Sequence, residues 1–242
     1  MKRLIITLGM VFALLAPAAQ ADELSRDDIK ELVLEAIREN PEIIMEAVQL
    51  LQQREQQAED ERASQALADL RPTLEGDPNA PVLGNPNGDV TVVEFFDYNC
   101  PYCRRAKPAV EALLANDPNV RLVYREWPIL GEGSVFAARA ALASRKQGKY
   151  EEFHWAMMGM QGRAEEASVL RIAESIGLDI EQMRADMEDP AIDEHFATSV
   201  RLTERLGFSG TPSFVIGDAL VPGLVSEEVL METVANARAA GK

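Results

Sequence analysis

The chemistry of this chain is expected to centre on its two cysteines, Cys100 and Cys103, which are separated by two residues. So short a bridge would stabilise a fold little by chain entropy, and a disulfide-stapled scaffold uses more cysteines at longer spacings. The pair is therefore predicted to be reactive. A β-rich run over 90–96 precedes Cys100, and Pro101 begins a predicted helix, so the sulfur of Cys100 would lie at a helix N-terminus. There the free N–H groups and the helix dipole favour a thiolate, the nucleophile of disulfide exchange.

Cys103 would lie one helical turn after Cys100 and point inward, where it can attack a mixed disulfide formed at Cys100 and release the substrate. Glu94 stands in the middle of the apolar strand, six residues before Cys100. A carboxyl group there is predicted to be buried, to have a raised pKa and to accept the proton that Cys103 loses. The alternative is an acid at the strand edge that faces water.

Thr211 and Pro212 precede a short β-rich run far downstream of the cysteines. A proline that opens a strand next to Gly210 suits a cis peptide bond in a tight turn, although an ordinary trans proline is the alternative. If this turn packs against the cysteine pair, the backbone of Thr211 can pair with an extended substrate by adding a strand.

Metal binding is the main competing interpretation of the cysteine pair. Four-coordinate zinc would need two further ligands, and the only histidines, His154 and His195, do not form the usual local pair. Met157, Met158 and Met160 lie beside His154 and could suggest a copper site, but methionines at helical spacing more often fill a core. We therefore predict no metal and no separate cofactor, and interpret His195 as a surface residue.

The N-terminus and the overall charge limit where the protein works and what it binds. Lys2 and Arg3 precede an apolar run over 4–15 and the small residues Ala19-Gln20-Ala21, which predicts a cleaved signal peptide at 1–21. The apolar run is too short to span a bilayer comfortably, and an uncleaved anchor is the alternative. The net charge of −16 disfavours binding to nucleic acid or to anionic lipid. An exported protein without a membrane span is expected.

Residues 22–70 are predicted to form a helical segment unlike the rest of the chain. Ser25 and Asp28 are spaced as a capping box, and Asn40 would cap a second helix. An amphipathic pattern follows, and the polar stretch over 52–65 predicts an exposed helical arm. Short helices with an apolar face need a partner surface, so the segment is predicted to join copies of the chain. Docking on its own domain is the alternative.

Residues 71–242 are predicted to form one α/β domain, since a proline- and glycine-rich stretch begins near residue 71. The element order is β–α–β, a helical block and then β–β–α, which is the plan of a thioredoxin fold with a helical insertion at about 134–206. The predicted strands cover 90–96, 120–124, 213–216 and 219–221, and the predicted helices cover 101–116, 135–147, 150–160, 164–176, 179–187, 190–206 and 226–240.

Two segments together resemble the DsbA-type thioredoxin-fold family: Val93–Cys103 (VEFFDYNCPYC) and Gly210–Phe214 (GTPSF). The resemblance covers about residues 77–242, and the combination is specific, whereas Cys-Pro-Tyr-Cys alone is also similar to glutaredoxins. It implies that Cys100 is the nucleophile, Cys103 the resolving thiol and Glu94 a buried acid. It also implies a substrate-binding surface around the cis-proline loop, formed by Thr211, Pro212, Pro101 and Tyr102.

The segment in front of this domain resembles the ScsC-like (suppressor of copper sensitivity) subgroup, on architecture and pattern. That resemblance implies a homotrimer in the periplasm that acts as a disulfide isomerase. Its substrates would be unfolded or misfolded exported proteins, and a membrane redox partner would reset the dithiol.

Two other functions use the same residues. A dithiol oxidase would donate disulfides to exported proteins, and the direction depends on the reduction potential, which residue types do not fix. A copper-sequestering protein would hold Cu(I) through the thiols without turnover.

Overall fold

The structure is a computed structural model that describes residues 25–241, so the predicted signal peptide at 1–21 lies outside the described residues. The chain divides into two compact units, one up to Gln57 and one from Ala58 onward. Within residues 25–241, no helix combines the length and the apolar character needed to cross a membrane. The helices are α1 (Arg26–Glu39), α2 (Glu42–Gly76), α3 (Pro101–Asn116), α4 (Glu132–Ser144), α5 (Tyr150–Gly159), α6 (Glu166–Ser175), α7 (Ile180–Asp186), α8 (Pro190–Arg205) and α9 (Glu227–Ala239).

The first unit contains α1 and the first part of α2. The predicted capping box is present: the Ser25 hydroxyl accepts the N–H of Asp28, and the Asp28 carboxylate accepts the N–H of Ser25. Asn40 does not cap α2 as predicted, because its side chain donates to the carbonyl of Ala36 and closes α1. Apolar side chains of both helices are exposed: Ile29, Leu32, Val33, Leu34, Ile43, Ile44, Met45, Val48, Leu50 and Leu51.

The second unit is built on one mixed sheet of five strands in the order β1-β3-β2-β4-β5. The two central strands, β2 and β3, are parallel, and every other pair is antiparallel. With α3 joining β2 to β3, and α9 following the β4–β5 hairpin, this confirms the predicted thioredoxin plan. The strands are β1 (Val82–Gly84), β2 (Val90–Phe96), β3 (Val120–Glu126), β4 (Ser213–Ile216) and β5 (Ala219–Pro222).

Alternation along β2 decides which residues face the cysteines. Val92 and Phe96 belong to the core cluster that contains Cys100 and Cys103, whereas Val93 and Phe95 belong to the cluster on the opposite face. Because successive side chains of a strand point to opposite faces, Glu94 lies on the same face as Val92 and Phe96. The sequence thus positions this acid on the side of the sheet where the cysteines lie.

Helix α2 corrects the predicted linker. It continues through Pro72 to Gly76, although proline removes a helical hydrogen bond, because this part of the helix is held to the sheet domain. Leu67 and Leu74 are buried in its core, and the carbonyl of Thr73 accepts a hydrogen bond from the fully buried Arg125. Residues on both sides of position 71 therefore pack in the second unit, and the predicted loop after them contains the short strand β1.

The helical insertion comprises α4 to α8 and matches the predicted helices closely. His195 in α8 is not a surface residue as predicted, since it is fully buried and its Nε2 lies 2.8 Å from Oε2 of Glu126. The buried positions of α8 include Ile192, His195, Ser199 and Leu202, which have helical spacing. That spacing was the signal that could have placed the histidine in the interior.

Candidate active site

The cysteine pair lies at the junction of β2 and α3. Cys100 is the N-cap residue of α3 with an extended backbone (φ −75°, ψ 117°), and Pro101 occupies the first turn. This is the favoured place for proline, because the first helical N–H has no partner within the helix. Both cysteines are free thiols with little exposure, 4% for Cys100 and 1% for Cys103.

The surroundings of Cys100 favour its thiolate. A hydrogen bond with the Cys103 side chain lowers the pKa of Cys100 most, and the Thr211 side chain and the backbone N–H groups of Cys103 and Tyr102 lower it further. Together they outweigh burial, which raises it, and the resulting pKa is about 5 against the ordinary 9.0. The expected anion-stabilising helix N-terminus is therefore present as two N–H donors.

Cys103 has the opposite character. Burial raises the pKa of its thiol far above the ordinary value, and the hydrogen bond with Cys100 and the charge of Glu94 raise it further. Of two thiols one turn apart, one is ionised at neutral pH and the other keeps its proton. An acceptor inside the protein is therefore needed whenever Cys103 is to act as a nucleophile.

Glu94 lies in the interior, as predicted. It is 3% exposed, its β2 position is paired with Tyr124 on one side and Phe214 on the other, and its strand neighbours are apolar. Burial and then the negative charge of Cys100 raise the pKa of Glu94 from 4.5 to about 8. A carboxyl group with this pKa can both hold and release a proton near neutral pH.

The Thr211–Pro212 turn lies next to Cys100, just before β4. Its peptide bond is cis, as predicted, and the thiol of Cys100 lies 3.2 Å from the carbonyl oxygen of Thr211. Pro212 is buried at the start of β4, while Pro101 and Tyr102 at the start of α3 are exposed. The structure thus brings Thr211 against Cys100, and leaves Tyr102 open to a ligand at 53% exposure.

Two residues that sequence reasoning missed hold the active-site turn, and both lie in the run 97–99 just before Cys100. The Asn99 side chain donates to the Ser134 hydroxyl at 3.1 Å and accepts the N–H of Ala164 at 2.8 Å, which ties the turn to the helical insertion. The buried Asp97 carboxylate accepts backbone N–H groups on both sides of the turn. Asp and Asn after a strand are typical turn formers, and this was the available signal.

Close packing at the same junction requires Gly133. A Cβ atom there would meet the carbonyl oxygen of Ala164 at 2.1 Å. Because Gly133 has no side chain, α4 can closely approach the turn that carries Asn99.

The other residues that could bind a metal, His154, Met157 and Met158, lie in the core. Among residues 25–241 no cluster of three or more histidine, cysteine or acidic side chains could hold a metal ion. His154 is buried among aromatic rings, its Nδ1 lies 3.1 Å from the hydroxyl of Tyr98, and burial lowers its pKa to about 3. Met157 and Met158 are buried, as the prediction of a core role requires.

Comparison with known proteins matches two family descriptions to consecutive parts of the chain. The DSBA-like thioredoxin domain matches residues 91–235, and the N-terminal domain of the copper resistance protein ScsC matches residues 26–58. A thioredoxin-like oxidoreductase from Silicibacter pomeroyi is 67% identical, with a TM-score of 0.69 over 70% of this chain and 98% of that one.

A variant of Proteus mirabilis ScsC with a linker deletion is 27% identical, with a TM-score of 0.69 over 93% of this chain and 100% of that one. A Na(+)/H(+) antiporter NhaA from Salinispora tropica is 33% identical over 182 residues, which are 74% of this chain. The chain spans only 28% of the length of that curated relative. From these matches and the fold, the chain belongs to the DsbA-like thioredoxin family, with an ScsC-type N-terminal domain in front of the thioredoxin domain.

Proposed function

We propose that the protein is a periplasmic thiol–disulfide oxidoreductase that works as a disulfide isomerase on unfolded or misfolded exported proteins. The observation that carries the oxidoreductase part of this proposal is the asymmetry of the cysteine pair. Cys100 has a pKa of about 5 at a helix N-terminus, and Cys103 is buried beside it with a strongly raised pKa. This asymmetry gives one thiol the role of nucleophile and the other the role of resolving group.

The first step is attack by the Cys100 thiolate on a client disulfide. A bond forms between Sγ of Cys100 and one client sulfur, the client S–S bond breaks, and the other client sulfur leaves as a thiolate. The client backbone is held along the Thr211–Pro212 turn, which lies against Cys100. In isomerisation the released client thiolate attacks another disulfide of the client and frees a different client thiolate. That thiolate attacks the client sulfur of the mixed disulfide, which forms a new client S–S bond and releases the Cys100 thiolate.

The second step frees the enzyme when the client does not rearrange. Cys103 gives its proton to the carboxylate of Glu94 and attacks Sγ of Cys100, which releases the second client thiolate and leaves a Cys100–Cys103 disulfide. A membrane redox partner that supplies two electrons is needed to reduce this disulfide again. No separate cofactor takes part in the scheme.

The exposed apolar surface of the first unit supports self-association. Ten large apolar side chains among the described residues 25–57 are exposed, on two helices that bury little of their surface, and large exposed apolar patches mark interaction surfaces. We propose that this surface joins copies of the chain, as a homotrimer by similarity to the ScsC-like subgroup. Several active sites around one client would raise the local concentration of thiols.

Oxidase activity is the second candidate, and the low pKa of Cys100 favours it. Hydrogen bonds that stabilise the Cys100 thiolate stabilise the reduced form, and a stabilised reduced form makes the disulfide a stronger oxidant. The same site then donates its disulfide to reduced exported proteins. Isomerase and oxidase therefore differ in the resting redox state rather than in their residues.

The test uses scrambled and reduced ribonuclease as substrates and compares the protein with a variant, Leu32→Glu/Leu51→Glu, whose replaced side chains are 52% and 57% exposed. Point variants are preferred to removal of residues 22–70, because Leu67 belongs to the core of the second unit. The matched control is Gln49→Glu/Gln52→Glu, which adds the same charge at exposed polar positions of α2. We expect the Leu variant to be a monomer by light scattering and to lose isomerase activity, while the control keeps both trimer and activity. Activity on reduced ribonuclease alone would contradict the isomerase proposal.

Replacement of Glu94 by glutamine is expected to slow release of the mixed disulfide by about 10²-fold, because a positioned proton acceptor is lost. The acceptor form is the carboxylate. Burial, the larger cause of its raised pKa, remains in the mixed disulfide, whereas the charge of Cys100 does not, so release in the unchanged protein should accelerate as pH rises towards 8. In Glu94→Gln this rise should be absent. Quenched-flow kinetics with a disulfide peptide, followed by acid trapping of the adduct, measures the release rate.

Stability provides the control for the Glu94 assignment. Because the folded-state pKa is raised from 4.5 to about 8, the native state binds the extra proton between these values, and stability falls as pH rises through this range. Glutamine cannot ionise, so Glu94→Gln should be as stable as the unchanged protein at pH 4 and more stable at pH 9. Equal melting temperatures at pH 9 would show that the carboxyl group is not buried in solution.

A further inference from the structure

A buried carboxylate outside the proposed reaction links the cysteine pair to an exposed apolar loop. Asp97 is 2% exposed and follows the last residue of β2. Its Oδ1 accepts the N–H of Asn99 at 2.7 Å, and its Oδ2 accepts the N–H groups of Ile129 at 2.8 Å and Leu130 at 2.9 Å. One side chain thus satisfies three backbone donors from two separate segments.

The main chain of Asp97 lies beside the cysteine pair. Its carbonyl accepts the N–H of Cys100 at 3.0 Å. Its N–H lies near enough to the Cys103 thiol to lower the pKa of that thiol, against the larger effect of burial. A displacement of Asp97 would therefore reach the nucleophile and the resolving thiol together.

The segment held by Asp97 is the apolar loop Trp127–Gly131 between β3 and α4, which has no regular secondary structure. Trp127 at its start donates its backbone N–H to the carbonyl of Phe96, the residue before Asp97. Ile129 and Leu130 expose 44% and 41% of their surface even though their N–H groups are bound inside. The backbone is thus anchored at the active-site turn and the apolar side chains are presented to solvent.

We propose that Asp97 is a positioning residue that couples binding of an apolar client segment on the Trp127–Gly131 loop to the geometry of the cysteine pair. The inference rests on the proposed function and names the preferred client: an extended polypeptide with an apolar side chain next to its disulfide cysteine. Such side chains are buried in a folded protein and accessible in an unfolded one, so the loop selects for misfolded clients. Asp97 transmits this contact because its carboxylate holds the loop and its main-chain carbonyl holds the backbone of Cys100.

The test measures single-turnover reduction of two disulfide peptides that differ only in having leucine or serine beside the cysteine, with the reduced full-length protein in excess. Ile129→Ser/Leu130→Ser is expected to raise the half-saturating concentration for the leucine peptide about fivefold and to change that for the serine peptide little. Asp97→Asn should abolish the preference for the leucine peptide and also slow the limiting rate about tenfold, because the amide group has one acceptor oxygen in place of two and one of the two segments loses its partner. Val200→Ser, at a side chain 41% exposed in α8, is the matched control and should leave both peptides unaffected.

Combining the variants separates coupling from independent effects. If Asp97 acts through the loop, adding Ile129→Ser/Leu130→Ser to Asp97→Asn changes the preference for the leucine peptide no further. If instead the effects of the two sets of substitutions on this preference multiply, the coupling is overturned. Equal handling of both peptides by the unchanged protein would overturn the apolar client site while leaving the oxidoreductase function intact. Reduction of neither peptide would overturn the proposed function itself.

A measurement on the unchanged protein covers the case in which Asp97→Asn fails to fold. The backbone amide resonances of Ile129 and Leu130 should shift when the cysteine pair is oxidised, while that of Val200 should not. Identical resonances for the loop in the two redox states would contradict the proposal.

Discussion

Replacing Cys100 with serine is expected to abolish disulfide exchange with every substrate, by several orders of magnitude in rate. A serine hydroxyl stays protonated at the helix N-terminus and does not attack disulfides, and removal of a nucleophile has effects of this size. The neighbouring Cys103 cannot replace it, because burial keeps its thiol protonated and 1% exposed. Insulin reduction and reactivation of scrambled ribonuclease both measure the loss, and circular dichroism checks that the variant is folded.

The pH dependence of Cys100 gives a sharper version of this prediction. Because its pKa is lowered from 9.0 to about 5, the thiolate exceeds the thiol by about a hundredfold at pH 7. Alkylation by iodoacetamide should therefore stay constant from pH 8 to 6 and fall only as pH drops through 5. Residual exchange in Cys100→Ser, or an alkylation midpoint near 9, would contradict the assignment of the nucleophile.

The same shift fixes how the stability of the reduced protein depends on pH. Because the pKa of Cys100 is lower in the folded state than in the unfolded chain, ionisation of this thiol stabilises the native state. The stabilisation is complete above the unfolded-state pKa, near 9, and is lost as pH falls through 5. The oxidised protein has no ionisable thiol at this position. The stability difference between reduced and oxidised protein should therefore change between these pH values and be flat below 5, which urea unfolding measures.

The sequence alone predicted the features that depend on residues close to one another in the chain. The strand over 90–96, the N-cap position of Cys100 and the interior position of Glu94 follow from an apolar run, a proline after a cysteine and the two-residue period of a strand. The cis bond before Pro212 followed from its neighbours and its relation to the cysteines. Each of these inferences uses residues that are close in the chain or a motif that joins two such places.

Contacts between distant segments could not be predicted in this way. Asp97 binds amides more than 30 residues downstream, and no pattern in the sequence pairs that carboxylate with Ile129 and Leu130. The proline- and glycine-rich stretch that begins near residue 71 predicted a linker, and the packing of Leu67 and Leu74 on the sheet domain keeps α2 intact through Pro72 to Gly76. Tertiary packing overrode the local preference here, as it commonly does for helix propensity.

Replacing Cys103 with alanine is expected to trap clients on Cys100. The first step remains, since Cys100 keeps its helix N-terminus and its contact with Thr211, although loss of the Cys103 hydrogen bond should raise the pKa of Cys100 above 5. The resolving step has no nucleophile, so mixed disulfides should accumulate and turnover with insulin should fall to the uncatalysed level. Non-reducing electrophoresis after alkylation, followed by mass spectrometry of the adducts, measures this directly.

The distribution of activities in Cys103→Ala also separates the two candidate directions. An isomerase can release clients through a second client thiol, so Cys103→Ala should keep part of its activity on scrambled ribonuclease, whereas an oxidase needs both cysteines and should lose all activity on reduced ribonuclease. The double variant Cys100→Ser/Cys103→Ala is the control and should form no adducts. Absence of adducts in the single variant as well would refute the resolving role of Cys103, since the buried thiol one turn from Cys100 would then have no part in releasing the client.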